Sequence, residues 1–441
     1  MLKTIKIIKL FGKYDYELDL LSKKKLMILT SLNGFGKTTI FNIVDSILND
    51  RLYYLARLKF KEIIIETENK KIIINKGDFS LFINDEEFVL PSNLDDIINT
   101  DFRGVFRPIN IKPEFVKTYV SSEELFNTSV TDDNDKSIFL EDRIIVFNCV
   151  LRYDQSKEKN SQSDLYKQFD KVVDEILTIR KEIGKFIYIK DNRLYDFENS
   201  SVVSARAPKI SKEIEKKMQD AIYAYHDISS KLDANFITDL HKKTNRVIDE
   251  IEYNSYFTKL SKITDECEKF GLNDISLPKN KYKSEYKNVY SLYFENIIKK
   301  MKVFSELLEK MNVFVRIINT NFYGKKAIIY KNKGLYFVDN ITEETIDINS
   351  LSSGEKNLLI LYYDLVFLTN DGALLLIDEP ELSLHLAWQK NFIDNLIDIN
   401  DLFYGKNNRG FQAIVSTHAP AIISNHWEDV IDLTFVTKKD E

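Results

Sequence analysis

Leu351-Ser352-Ser353-Gly354-Glu355-Lys356, followed by Leu374-Leu375-Leu376-Ile377-Asp378-Glu379-Pro380, is the pair of segments from which the rest of the chain can be read. The first is small and polar, has no β-branched residue, and opens an apolar run from Leu358 to Phe367. Its amides and hydroxyls therefore stand at the start of a predicted helix, where an anion can be met. The second is four aliphatic residues ending in two adjacent carboxylates, the pattern of a buried parallel strand that delivers acids to the carboxyl edge of a sheet. One acid suits a metal, the other a water.

The N-terminal part supplies a cradle for the anion. An uncharged run, Leu26-Met27-Ile28-Leu29-Thr30, leads into Ser31-Leu32-Asn33-Gly34-Phe35-Gly36-Lys37-Thr38-Thr39 and then into a helical pattern from Ile40 to Leu48. In that strand-loop-helix context the glycines let backbone N–H groups close around phosphates, the lysine reaches the β/γ oxygens, and a threonine hydroxyl meets Mg²⁺. Asn33, Gly34, Gly36, Lys37, Thr38 and Thr39 are thus candidate nucleotide-binding residues, with Thr38 and Asp378 as candidate metal ligands. Ser31 departs from the pattern, standing where G-x-x-x-x-G-K-[ST] has its first glycine.

Length and composition bound the reading. The 441 residues suffice for one large elaborated domain or two to three smaller ones, and 44% apolar with 29% charged residues describes an ordinary soluble chain. No run approaches the roughly 18 apolar residues of a membrane span, and no charged-then-apolar leader begins the sequence, so a cytoplasmic protein is expected. Cys149 and Cys267 lie far apart and form no C-x-x-C metal site. A net charge of −6, from 62 basic and 68 acidic residues, argues against a globally basic DNA-coating protein and leaves a local DNA contact open.

In chain order, residues 3–10 and 14–20 read as two strands joined by a turn at Phe11-Gly12-Lys13. Two further hairpins are expected at 62–66 with 71–75 and at 79–83 with 87–90. The stretch from there to about 150, punctuated by Pro91, Pro108 and Pro113, gives no clear pattern. Leu165, Phe169, Val172, Ile176, Ile179, Ile183 and Phe186 repeat in alternating steps of four and three, the a/d seam of paired helices; Ile214, Met218, Ala221, Tyr225, Ile228 and Leu232 form a second seam. Such stripes can also be the buried faces of a compact helical domain. Residues 187–195 read as a hairpin between the seams. A third run, Phe294, Ile297, Met301, Phe304, Leu308 and Met311, returns toward a hairpin at 327–330 and 334–338.

These motifs, in this order, resemble the ABC-type ATPase heads of SMC-like and RecF-like proteins. With Glu381-Leu382-Ser383-Leu384-His385 and Val415-Ser416-Thr417-His418-Ala419-Pro420, the match extends to the single-chain ATPases of bacterial anti-phage systems of the Septu, PARIS and retron-associated types. The resemblance covers residues 1–50 and about 313–425. It implies an α/β fold, an ABC-type P-loop NTPase head of mixed sheet and helices carrying a helical, short coiled-coil-like insertion. The expected division is 1–150 and 313–441 for the two lobes of the head and 151–312 for the insertion. It further implies that Lys37 holds the β/γ-phosphates, that Thr38 and Asp378 hold Mg²⁺, that Glu379 activates the attacking water and that His418 senses the γ-phosphate. Ser352 and Gly354 would contact the ATP of a second protomer, which implies a homodimer or higher oligomer.

The function so implied is ATP hydrolysis in a subunit that senses infection and controls a separate toxic effector, expected to be a nuclease. The segment after His418 is too short for a Toprim nuclease, and the five histidines suggest no H-N-H site. Alternatives are a DNA-repair or chromosome-associated ATPase, a transporter ATPase subunit, which has no use for a large helical insertion, and a scaffold that holds ATP without turning it over. Two further signals are weaker. Asn75-Lys76-Gly77-Asp78 matches a guanine-reading motif but sits in an expected hairpin turn. Lys279, Lys281, Lys283 and Lys287, interleaved with Tyr282, Tyr286 and Tyr290, suit either a solvated helix start or a stacking nucleic-acid contact.

Overall fold

The computed structural model describes residues 1–20, 26–49, 53–77, 80–84, 86–89, 175–190, 193–198, 202–242, 247–272, 277, 281–407 and 410–436. They fall into two compact units, Met1–Ser204 with Leu368–Glu441, and Ala205–Phe367.

The first unit is built on two sheets. β1 (Leu2–Leu10) buries Leu2, Ile5, Ile7 and Leu10 and leaves Lys3, Lys6 and Lys9 toward water, and register shifts at Leu2/Thr4 and Ile7/Leu10 break the strict alternation of a half-buried strand. It pairs antiparallel with β2 (Tyr14–Asp19) and with β4 (Glu62–Thr67), and β5 (Lys71–Asn75), β6 (Ser80–Ile83) and β7 (Glu86–Val89) extend the sheet in the order β2-β1-β4-β5-β6-β7. Asn75 ends β5 and Lys76-Gly77 form a turn after it, while Asp78, the last residue of the N-K-x-D match, lies outside the described residues.

The second sheet is parallel throughout, in the order β16-β3-β15-β14-β8: β16 (Val430–Asp432), β3 (Leu26–Thr30), β15 (Gln412–Ser416), β14 (Leu374–Asp378) and β8 (Phe186–Ile189). β14 and β15 are buried at every residue, which is why they read as continuous apolar runs rather than alternating ones. Helix Lys37–Leu48 is buried along most of its length, and its Ile40, Phe41, Ile43, Val44 and Ile47 share one core with residues of both sheets. A mixed α/β architecture around a phosphate-loop helix is therefore present.

β8 revises the reading of residues 187–195 as a hairpin: its first strand joins the parallel sheet beside β14, and the second, β9 (Tyr195–Glu198), pairs with β10 (Val202–Ala205). The helical residues 175–183 place Ile176, Ile179 and Ile183 in the core of this unit. That part of the first seam is a buried face rather than an arm. Leu165, Phe169 and Val172, like the stretch from 90 to 150, lie outside the described residues.

The second unit is mostly helical. Helix Arg206–Ala234 opens with Pro208 in its first turn, where the missing N–H costs nothing, and buries Ala207, Ile210, Ile214 and Met218. Beyond Met218 it has no buried residue. Helix Lys287–Asn321 runs 35 residues, about 52 Å, and buries the whole third run from Phe294 to Met311. β11 (Lys325–Tyr330), β12 (Gly334–Asp339) and β13 (Thr345–Ile346) form an antiparallel sheet. Gly334, at φ +61°, lies where an added Cβ would sit 2.1 Å from the Ser211 carbonyl, so only glycine lets β12 approach helix Arg206–Ala234 this closely. Among the described residues no helix is long and apolar enough to cross a membrane.

Of the lysine and tyrosine tract, residues 281–290 belong here, and Lys279 lies outside the described residues. Tyr253, Tyr282, Tyr290 and Phe294 form one aromatic cluster, with Tyr253 and Tyr290 centroids 4.7 Å apart, and the Tyr282 hydroxyl donates to the Ile248 carbonyl. Two of the three tyrosines are thus committed to packing.

Candidate functional site

The phosphate loop begins where β3 ends. Gly34 and Gly36 hold φ of +88° and +86°, and Gly36 in the left-handed conformation caps helix Lys37–Leu48. A side chain at Gly36 would press on Leu10 and Phe11, whereas the space beside Gly34 is open. The amides of the first turn have no acceptor within the helix, so they are available to an anion, and Ile40 N–H closes the first helical bond on Gly36. The antiparallel sheet braces this loop: the Tyr16 hydroxyl donates to the Phe35 carbonyl at 2.6 Å, and Tyr14 packs on the Phe35 ring.

Three adjacent strands bring the remaining candidates to one edge. β15 lies between β3 and β14, and backbone bonds continue past the strand ends, Thr417 N–H to the Leu29 carbonyl and Glu379 N–H to the Ser416 carbonyl. His418, carried by the middle strand, therefore stands between the lysine and the acids. Its Nε2 is 2.6 Å from Lys37 Nζ and 3.9 Å from Glu379 Oε1. Asp378 ends β14 buried, with the Tyr188 hydroxyl 3.4 Å from its Oδ2.

Burial lowers the Lys37 pKa, and the charges of Glu379, Asp378, Glu381 and Asp432 oppose that without cancelling it. Burial likewise raises the Glu379 pKa, helped by Asp378 and Glu381 and opposed by His418 and Lys37. Each is less stable charged here than in water, the electrostatic mark of a site shaped for further charged groups. Thr38 lies exposed at the loop mouth, and Thr38 with Asp378 offers hard oxygen donors of the kind Mg²⁺ takes. Among the described residues no group of three or more His, Cys, Asp or Glu could hold a metal by itself. A Mg²⁺ at this edge would take few protein oxygens and complete its shell with phosphate and water, which fits a nucleotide-borne ion.

Four residues were missed by the sequence reading. Glu381 accepts from the Thr417 hydroxyl at 2.7 Å and from the His418 amide at 2.9 Å, so one carboxylate ties the histidine segment to the turn after β14. Arg193 is buried and donates to the Glu379 and Pro380 carbonyls, bracing a turn in which Glu379 adopts φ +43°. Tyr188 comes from β8, and Tyr16 from β2. The repeated acid of Asp378-Glu379-Pro380-Glu381 was a visible signal for Glu381; a lone arginine or tyrosine in a short strand was not.

Asn33 and Thr39 flank the loop, one exposed and one half-buried. In the second unit, Ser352 caps helix Ser353–Tyr363 through a full capping box: its hydroxyl accepts from Glu355 N–H at 3.2 Å and Glu355 accepts from Ser352 N–H at 2.8 Å. Ser352 and Ser353 are exposed, and Gly354 is half-buried. His385 caps the short helix Leu386–Lys390 by accepting from Ala387 N–H.

The sequence profile of the AAA ATPase domain matches residues 1–423 of the chain. The chain belongs to that ATPase family. It is also similar to a solved structure titled "Crystal structure of the SmcHead bound to the C-winged helix domain of ScpA", at 12% identity and a TM-score of 0.37, over 98% of this chain and 93% of that one. No curated protein matches it. Membership in the family accords with a phosphate loop, a pair of acids and a histidine at one edge of a parallel sheet.

Proposed function

We propose that the chain binds Mg-ATP and hydrolyses it to ADP and phosphate. The observation that carries this reading is the meeting of three neighbouring strand ends, which puts Lys37, His418 and Glu379 in one cluster, with 2.6 Å and 3.9 Å steps between them. In this reading the loop amides and Lys37 hold the β- and γ-phosphates, and Thr38 and Asp378 hold the Mg²⁺ that neutralises their charge. Glu379 takes a proton from water as the water oxygen bonds to the γ-phosphorus and the bond to the β–γ bridging oxygen breaks. His418 turns from Lys37 toward the γ-phosphate. Its short tether to Glu381 keeps that movement small.

Ser352 and Gly354 are proposed to complete the site on a second copy, making the active form a homodimer or higher oligomer. The helical insertion expected at 151–312 would then carry the nucleotide state to a partner. The resemblance to defence ATPases supports a role in gating a separate toxic effector, a nuclease by preference, during phage infection. The commitment of Tyr282 and Tyr290 to packing favours this over a DNA-coating role.

The test compares ATP binding and turnover by the wild-type chain, Lys37→Ala and Glu379→Gln. Binding should be lost in the first variant, and turnover alone in the second. Wild-type turnover by Glu379→Gln would remove the assigned base. Phage plating on cells carrying the gene with its neighbours should follow the same pattern, and equal protection by all three forms would sink the gating role.

A further inference from the structure

Ser31 breaks the glycine pattern of the phosphate loop, yet it is not among the left-handed residues of the chain, so its backbone needs no glycine. What serine adds at this place is a hydroxyl. That hydroxyl donates to the Leu32 carbonyl at 2.9 Å, which leaves its lone pairs to face Lys37, and Lys37 Nζ donates to Ser31 Oγ at 3.1 Å. We propose that the Ser31 hydroxyl competes with nucleotide for the Lys37 ammonium and thereby sets the affinity of the loop for ATP. The inference rests on the ATP-binding reading of this site.

A lysine ammonium has three N–H groups and no acceptor. Here it meets Ser31 Oγ at 3.1 Å, the Ser31 carbonyl at 3.4 Å and His418 Nε2 at 2.6 Å, with the other nitrogen of the same ring at 3.4 Å. Three donors therefore already have three acceptors. A β- and a γ-phosphate oxygen need two of those donors, so two of the existing contacts must give way. The imidazole is one, since its side chain can swing. The second is a Ser31 oxygen, and a glycine or alanine at this position would leave only the carbonyl. Replacing Ser31 thus removes one competitor without touching the donors that nucleotide uses.

The probe is a methylanthraniloyl ATP titrated into the full chain without turnover, with the AMP analogue beside it. Ser31→Ala and Ser31→Gly should each bind the ATP analogue about five-fold more tightly, the effect of one hydrogen bond to a charged group partly replaced by water. Ser31→Thr, which keeps the hydroxyl, should bind like wild type. AMP lacks the β- and γ-phosphates and should be held equally by all four forms. Unchanged or weaker ATP binding in both the alanine and glycine variants would overturn the proposal, as would an equal gain for AMP. A wild-type chain that bound neither analogue would instead overturn the ATP reading itself, and this inference with it.

Discussion

Glu379 sits against Asp378 and Glu381 in a half-buried turn, and both burial and these neighbours make its charge costly. Such a group is held for chemistry and not for stability. Glu379→Gln keeps the shape and the hydrogen-bonding oxygen while removing one negative charge, so the nucleotide-free chain should gain on the order of 1 kcal/mol, or ~2 °C in Tm, read by thermal denaturation. In the same variant, loss of a general base should lower ATP turnover by roughly 10²–10⁴-fold while ATP remains bound. A variant that turned over normally, or that was less stable than wild type, would contradict the role. Glu381 is the contrasting acid, since it holds the Thr417 hydroxyl and His418 amide in place. Glu381→Ala should lower kcat by about ten-fold or more, while changing KM less, because His418 loses its fixed distance to Lys37 and Glu379. A fall confined to Tm, with kinetics unchanged in the folded fraction, would make it structural only.

At the scale of elements, the sequence declared those whose chemistry is local. β3 and β14 read as strands because of their continuous apolar runs up to Thr30 and Asp378, and the small polar Ser352-Ser353-Gly354 marked the start of helix Ser353–Tyr363, although its capping box with Glu355 was not read. β8 was hidden because Phe186–Ile189 is only four residues long and follows a helical seam, so nothing local distinguishes a sheet-edge strand from one arm of a hairpin. Its place is decided by pairing with β14, nearly two hundred residues further on in sequence. The capping box also makes a pH prediction. Burial would raise the Glu355 pKa, but hydrogen bonds from Lys325, at 2.7 and 2.9 Å, and from Ser352 outweigh it and hold the carboxyl below its ordinary value of 4.5. A depressed carboxyl gives stability that is present above its unfolded value and lost as pH falls through the folded one. Glu355→Gln should therefore cost ~1–2 kcal/mol at pH 7, and the difference from wild type should shrink in denaturant titrations as pH falls below 4.5 and through the depressed folded value. A cost that stayed constant with pH would show that the ionised carboxyl contributes nothing.

For the whole molecule, the positions of the edge residues were legible in the sequence because Lys37 opens the helix that follows β3 and its glycine loop, Asp378 and Glu379 end the apolar run of β14, and His418 follows the apolar run of β15. The sequence did not reveal which unit each motif would join. The phosphate loop and the acids lie in the unit Met1–Ser204 with Leu368–Glu441, and Ser352 and Gly354 lie in the unit Ala205–Phe367. A proposal that the signature serves the nucleotide of a second copy then has a direct consequence. A chain lacking Lys37 still offers a sound signature, and a chain with a spoiled signature still offers a sound loop and acids. Gly354→Asp is the suitable spoiling change, since an acid in the first turn of helix Ser353–Tyr363 favours the helix while repelling phosphate. Lys37→Ala and Gly354→Asp should each be inactive alone. Mixed in equal amounts, half of the randomly formed dimers pair one of each and hold one sound composite site of two, so about a quarter of wild-type turnover should return. If each chain used its own signature, mixing would restore nothing, and the turnover of the mixture would stay at that of the separate variants.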